Sequence, residues 1–167
     1  MSVDSSQSVY REKLLEHLLI GALLKYSWQK HDASLEVSQP AVDRSGHDIV
    51  LEANGITRHV QLKTSSRIAK TGRQNVHLGL AEKPSGCVVW VRFDPESMEL
   101  GPFLFFGSKP GKALPLLDGF KVATHTKGDA KGVKKQRVGL RVVPMSKFTS
   151  IESIPALYYA LFGEARN

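Results

Sequence analysis

The sequence has little cysteine and no long apolar run. The single cysteine of the 167-residue chain, Cys87, excludes an intramolecular disulfide, and its apolar surroundings, CVVWV, predict a small buried side chain. No apolar run approaches the roughly 18–20 residues that a membrane span needs. The N-terminus lacks the basic and apolar regions of a secretory signal. We therefore expect no membrane partner and a cytoplasmic location.

Acidic residues are also in the minority, since 23 Lys and Arg stand against 16 Asp and Glu, for a net charge of +7. The excess is local: residues 121–141 contain seven Lys or Arg and one acid, Asp129. A localised positive charge favours an anionic partner, most often nucleic acid. The alternative is a mobile, solvated basic loop. The candidate phosphate contacts are His125, Lys127, Lys131, Lys134, Lys135 and Arg137.

Periodicity and turn residues predict one α/β domain over residues 9–167, after a flexible tail over residues 1–8. Leucines at helical spacing predict a first helix over residues 9–30. The polar stretch 67–74 and the glycine-rich basic stretch 121–141 are predicted to be loops. Two further helices are predicted, over residues 75–84 and 150–163. The predicted strands span residues 33–40, 47–53, 56–64, 86–94, 100–107 and 140–145.

The dipeptide Asn54-Gly55, between two β-rich runs, predicts a two-residue type I′ turn, because both central residues of that turn need positive φ. A turn of this length places Asp48 opposite Gln61 on the neighbouring strand. Lys63 lies two residues further and therefore points to the same face. The other face presents apolar side chains to a core, namely Ile49, Leu51, Val60 and Leu62.

These polar side chains are suited to phosphodiester chemistry. Carboxylate and amide oxygens are hard ligands that suit Mg²⁺ or Mn²⁺ and not zinc. A lysine beside such a site can position a water molecule and offset charge that develops on a phosphate. The first helix offers a border carboxylate, Glu16 by preference and Glu12 as the alternative, although each taken alone is better explained as a solvated helix residue. Together with Asp48, Gln61 and Lys63, Glu16 predicts a phosphodiester-cleaving centre.

The order Glu16, Asp48, Gln61-Leu62-Lys63 resembles the PD-(D/E)XK nuclease superfamily, over residues 9–66. The stretches VDRSGHDIVLE and VQLKTS are similar to the subgroup with glutamine in place of the second acid. The resemblance implies a restriction-endonuclease-like fold, a central mixed β-sheet flanked by α-helices. It implies Mg²⁺ or Mn²⁺ bound by Asp48, Gln61 and the Leu62 carbonyl, with Lys63 assisting the attacking water. The implied function is a DNA endonuclease in defence, repair or mobile-element processing.

Gln61 departs from the superfamily consensus, because an amide is a neutral and weaker ligand than a carboxylate. Two further hypotheses therefore stand beside the nuclease. One is a catalytically inactive nucleic-acid-binding module of the same fold, and the other is a protein-interaction domain. If duplex cleavage is the task, we expect a homodimer, since one such centre cuts one strand.

Overall fold

The fold is mixed α/β, with two α-helices and two sheets in the computed structural model, which describes residues 5–164. The elements are α1 (Ser5–Lys30), β1 (Glu36–Ser38), β2 (Ile49–Ala53), β3 (Ile56–Ser66), β4 (Arg73–His77), a 3₁₀-helix (Leu78–Glu82), β5 (Cys87–Phe93), β6 (Leu100–Gly107), β7 (Lys121–Thr124), β8 (Gln136–Pro144), a 3₁₀-turn (Met145–Lys147), β9 (Thr149–Ile151) and α2 (Ile154–Phe162). The larger sheet has the order β1-β2-β3-β5-β6-β9, and the smaller has the order β4-β8-β7. No helix within residues 5–164 is both long and apolar enough to cross a membrane.

Strand β3 is central to the larger sheet, because it pairs antiparallel with β2 on one edge and parallel with β5 on the other. The remaining pairs of this sheet are antiparallel. A parallel pair needs a crossover connection, and here the connection consists of β4 and the 3₁₀-helix. Strand β5 is buried along nearly its whole length, since both faces of the sheet are covered.

Different layers cover the two faces of the larger sheet. Both α-helices pack on one face, where Leu19 and Leu23 of α1 join Leu157 and Leu161 of α2 in a core with the sheet. The smaller sheet covers the opposite face and shares a second core with it. That core includes Val76, Val88, Trp90, Phe106 and Val143. The mixed α/β class is confirmed, but helices cover one face of the sheet and strands cover the other.

The β2–β3 hairpin has the predicted register. Asn54 and Gly55 both have positive φ, 54° and 73°, as a type I′ turn requires. The paired residues run from Ala53 opposite Ile56 to Ile49 opposite Val60. The apolar face of this hairpin is buried in the core beneath the helices, so the packing of one face supports the same register as the turn.

Helix α1 begins earlier than predicted. Residues 5–8, assigned to the flexible tail, are helical. Their sequence, SSQS, has no apolar residue, so hydrophobic periodicity gave no indication of helix there. Residues 1–4 of the predicted tail and residues 165–167 of the predicted domain lie outside the described residues.

The predicted loop over residues 121–141 is wrong. Strands β7 and β8 form an antiparallel hairpin within this segment, which we call the basic arm. The loop between them is organised by Asp129, whose Oδ1 accepts hydrogen bonds from the backbone N–H groups of Lys131 at 2.8 Å and Val133 at 2.9 Å. The first four residues of β8 are exposed, so this half of the strand has none of the apolar alternation that identifies a strand in sequence. The second half of β8 overlaps the predicted strand over residues 140–145.

The predicted helix over residues 75–84 is also wrong in its first part. Residues through His77 belong to β4, and only the following residues are helical, as a 3₁₀-helix. The Nδ1 atom of His77 accepts a hydrogen bond from the Gly79 N–H at 3.0 Å and caps the start of this helix. A short apolar run cannot be assigned to helix or strand by periodicity alone.

Candidate active site

The edge of β3 becomes free where its pairing with β2 ends, next to Asp48. The backbone N–H of Asp48 donates to the Val60 carbonyl at 2.8 Å, and its carboxylate Oδ2 accepts from the Leu62 N–H at 2.6 Å. The N–H and C=O of one strand residue point to the same edge. The Leu62 carbonyl therefore faces the same side as the Asp48 carboxylate, as the resemblance implies.

A cavity of about 360 Å³ opens at this free edge. Its polar wall contains three carboxylates and two lysines, which face one another across the space between α1, β3 and β4. The lining residues are Glu12, Lys13, Glu16, Asp48, Leu62, Lys63, Thr64 and Gln74. The structure therefore brings Glu16, Asp48 and Lys63 together, as predicted, and includes the alternative glutamate, Glu12.

Glu16 is a buried side chain, only 6% exposed, although it lies on the border of a surface helix. Its Oε1 accepts a hydrogen bond from the Gln39 side-chain amide and forms an ion pair with Lys13 Nζ at 3.5 Å. A buried carboxylate needs such partners to offset the loss of hydration. The explanation of Glu16 as a solvated helix residue therefore does not apply.

The environment of Asp48 disfavours its negative charge. Burial raises the pKa of Asp48 above its ordinary value, and the neighbouring carboxylates of Asp43 and Glu16 raise this pKa further. The hydrogen bond from the Leu62 N–H and the nearby Lys63 ammonium act in the opposite direction on the same pKa. Carboxylates that repel one another in a half-buried cavity favour a cation between them.

The environment of Lys63 disfavours its positive charge in the same way. Burial lowers the pKa of Lys63, and the Arg137 guanidinium lowers it further, while Asp48 and Glu12 favour the protonated form. Arg137 belongs to the basic arm, so the base of that arm lies close enough to the cavity to affect its electrostatics. The other predicted phosphate contacts are exposed on the arm, namely His125, Lys127, Lys131, Lys134 and Lys135.

Gln61 does not line this cavity, although its position opposite Asp48 follows the predicted register. It is buried, and its Oε1 accepts a hydrogen bond from the backbone N–H of His77 at 3.2 Å. His77 ends β4, an edge strand of the smaller sheet, so this N–H needs a partner outside the sheet. The amide oxygen predicted to bind metal is therefore directed toward β4.

Two cavity residues, Gln74 and Lys13, were missed by the sequence analysis. Gln74 lies on β4 in a stretch assigned to a loop, and its spacing of two residues from the buried Val76 places both on one face of the strand. Lys13 is an exposed residue of α1. Its i,i+3 spacing from Glu16 indicates the ion pair that holds both side chains at the cavity.

Within residues 5–164, no three His, Cys, Asp or Glu side chains form a group that could hold a metal ion. Mg²⁺ usually takes only one or two carboxylates and fills its other positions with water and phosphate oxygens. The donors that fit this requirement are the Asp48 carboxylate, the Leu62 carbonyl and a glutamate of α1. No protein-family model, curated protein or solved structure matches this chain.

Proposed function

We propose that this protein is a metal-dependent phosphodiester hydrolase, an endonuclease that acts on DNA. The observation that carries the proposal is the joint presence of Asp48, Glu16 and Lys63 in one cavity at the free edge of β3. Acidic metal ligands and a lysine around one space are suited to metal-dependent hydrolysis of a phosphodiester. Arg137 of the basic arm adds positive charge beside that space.

The chain order supports a restriction-endonuclease-like fold within the mixed α/β class. A helix precedes the β1-β2-β3 meander, and β5 then lies parallel to β3. The resemblance implies an aspartate that opens one strand of a hairpin and a lysine on the next strand, and these are the positions of Asp48, directly before β2, and of Lys63 in β3. The crossover from β3 to β5 consists of a strand and a 3₁₀-helix, whereas such connections usually contain an α-helix.

Asp48, the Leu62 carbonyl and Glu16 or Glu12 are the groups that would hold Mg²⁺ or Mn²⁺. Such an ion, when bound, lowers the pKa of water and neutralises phosphate charge. The Lys63 ammonium lies in the same cavity and can orient a water molecule by hydrogen bonding. Because burial lowers the pKa of Lys63, its Nζ releases a proton more readily than an exposed lysine does.

Cleavage of supercoiled plasmid and of a branched DNA with Mg²⁺ or Mn²⁺ tests the proposal. We expect metal-dependent cutting by the wild type and loss of cutting in Asp48→Asn and Lys63→Met. The matched controls are Glu52→Gln and Lys25→Met, which change exposed residues outside the cavity and should keep the activity. Cutting that survives in both cavity variants would contradict the proposed centre.

The placement of Gln61 favours a second candidate, an inactive nucleic-acid-binding module. Its amide oxygen is engaged by His77 and is absent from the cavity wall, so one metal ligand implied by the resemblance is not in place. This candidate predicts salt-sensitive DNA binding in EDTA, no cleavage with any divalent ion, and no Mg²⁺ binding heat in the presence of DNA. Absence of both binding and cleavage would contradict both candidates and favour a protein-interaction domain.

A further inference from the structure

The smaller sheet carries an open groove of about 760 Å³, which we call the outer groove. The loop before β4 forms one wall, the turn before β7 forms another, and β8 forms the floor. The lining residues are Lys70, Thr71, Gly72, Arg73, Gly119, Phe120, Lys121, Val142 and Pro144. None of the described residues in this lining has a carboxylate, in contrast to the cavity at Asp48.

The outer groove and the Asp48 cavity lie on opposite sides of strand β4. Arg73 and Gln74 are consecutive residues of this strand, so their side chains point to opposite faces. Gln74 lines the cavity, and Arg73 lines the outer groove. Because β4 is an edge strand, a long ligand can pass around its edge from one site to the other.

Among residues 5–164, the three cations of the outer groove have no acidic partner in an ion pair. Lys70, Arg73 and Lys121 are all exposed, and the ion pairs found within the described chain, Lys13–Glu16 and Arg67–Glu99, include none of them. Cations collected without counter-charges along a concave surface attract anions from solution. Three cations around one groove of about 760 Å³ match an extended anion with several charges better than a single small one.

The backbone of the outer groove is accessible. A Cβ atom added at Gly72 or Gly119 would meet no other atom within 4 Å, so both glycines border open space. Phe120 lies beside Gly119, half-buried, with its ring edge-on to Phe106 at a centroid distance of 6.0 Å. A polyanion can therefore approach the main chain closely beside an aromatic ring, a combination found where proteins bind nucleic-acid strands.

We propose that the outer groove binds the sugar-phosphate backbone of the nucleic-acid substrate, away from the phosphate that is cleaved. This inference rests on the proposed function for the nature of the ligand, but it concerns binding and not hydrolysis. Lys70, Arg73 and Lys121 contact successive phosphates, and the strand continues around the edge of β4 toward the Asp48 cavity.

Binding of fluorescently labelled DNA, followed by anisotropy in EDTA at several salt concentrations, tests this inference. The test variant replaces Lys70, Arg73 and Lys121 by glutamine. Each phosphate contact contributes about 0.9 to the slope of log affinity against log salt. Loss of three contacts should therefore make this slope shallower by about 2.7. Between about 50 and 200 mM salt, the wild type should therefore lose about 40-fold more affinity than the variant. A control that replaces the exposed Lys25, Lys30 and Lys109 has the same net charge and should keep the wild-type slope.

A second variant, Gly119→Leu, tests the groove without changing charge. The new side chain meets open space in the protein, so folding should be unchanged while the entrance of the groove is obstructed. We expect weaker binding with Gly119→Leu at every salt concentration. Wild-type affinity and slope in both groove variants would overturn the inference, as would a wild type that does not bind nucleic acid.

The two proposals fail in distinguishable ways. If cleavage needs Asp48 but is unchanged in the groove variants, the proposal for the outer groove is wrong and the proposed nuclease activity stands. If binding depends on the groove but no divalent metal supports cleavage, the proposed nuclease activity is wrong and the proposal for the outer groove stands. RNA of the same sequence, measured in parallel, determines which nucleic acid the groove prefers.

Discussion

Asp48 is a residue whose charge is unfavourable for stability. Its pKa is raised in the folded protein above the ordinary value of 3.8, mainly by burial. The ionised carboxylate is therefore less favourable in the folded chain than in the unfolded one. The resulting loss of folding stability develops as pH rises from about 3.8 through the raised pKa. Below that range the carboxyl is protonated in both states and the loss disappears.

We therefore expect Asp48→Asn to be more stable than the wild type near neutral pH. The amide side chain can still accept the Leu62 N–H, and it carries no charge into the cavity. A gain of about 1 kcal/mol would raise the melting temperature by roughly 2–4 °C for a chain of this size. Thermal unfolding of the wild type and of Asp48→Asn at about pH 7 and about pH 3 measures this gain in stability. A gain of the same size at both pH values would contradict this explanation.

Arg58 is a buried cation whose hydrogen-bond partners within residues 5–164 are carbonyls and not carboxylates. Its guanidinium is 0% exposed and donates to the carbonyls of Leu161 at 2.8 Å, Ala160 at 3.1 Å, Ser108 at 2.8 Å and, weakly, Ser85 at 3.4 Å. Two of these carbonyls lie in the last turn of α2, where the helix dipole favours positive charge. Arg58 therefore attaches the end of α2 to the hairpin and to the loop after β6.

We expect Arg58→Met to lower the free energy of unfolding by about 3 kcal/mol, because it leaves several buried carbonyls without donors. Arg58→Lys should have a smaller effect, since an ammonium can still donate to some of them. Urea unfolding measures both variants. If Arg58→Met were as stable as the wild type, the hydrogen bonds of the guanidinium would not be what holds α2 in place.

The position of Gln61 could be predicted from sequence, but its hydrogen-bond partner could not. The Asn54-Gly55 turn fixes the residue opposite Gln61 through local geometry alone. The direction of its amide depends on His77, which lies on a strand that approaches from a later part of the chain. A tertiary contact of this kind leaves no pattern in the residues around Gln61.

Among the elements, the basic arm is an extension whose loop is exposed throughout. We expect glutamine at Lys127, Lys131, Lys134 and Lys135 to leave the melting temperature nearly unchanged, because surface substitutions usually change stability by less than about 0.5 kcal/mol. DNA binding should become less sensitive to salt, with a slope shallower by about 3 to 4. Anisotropy titrations measure the slope. An unchanged slope would mean that the loop is a solvated segment without phosphate contacts.

The elements that could be predicted are those whose burial follows a regular pattern. Helix α1 and strand β5 have apolar residues at the spacing of a helix stripe and of a strand buried on both faces. Strand β4 and the first half of β8 were not predicted, because they belong to an outer layer in which that half of β8 is exposed and β4 has one fully buried residue, Val76. The second half of β8 lies within the predicted strand over residues 140–145. Strands β4 and β8 are far apart in sequence, and they are strands because they pair with each other.

For the whole molecule, the proposed metal binding would be linked to stability. A ligand that binds only the folded state stabilises it, by about 2.7 kcal/mol at a concentration one hundred times its dissociation constant. We expect Mg²⁺ or Mn²⁺ to raise the melting temperature of the wild type, and to leave that of Asp48→Asn unchanged. Glu52→Gln, outside the cavity, should respond like the wild type. A similar rise in Asp48→Asn would place the ion elsewhere.

The hydrogen bond between the Leu62 amide and Asp48 also makes one backbone proton a spectroscopic reporter. Because the Leu62 nitrogen lies 2.6 Å from a carboxylate oxygen of Asp48, its amide proton should resonate far downfield, and the chemical shift should move when Asp48 gains a proton or a cation. A pH titration followed by nitrogen–proton correlation spectra would therefore give the Asp48 pKa from a neighbouring residue. The same signal, followed during addition of a divalent ion, would show whether the ion reaches the cavity, with no substrate and no turnover needed.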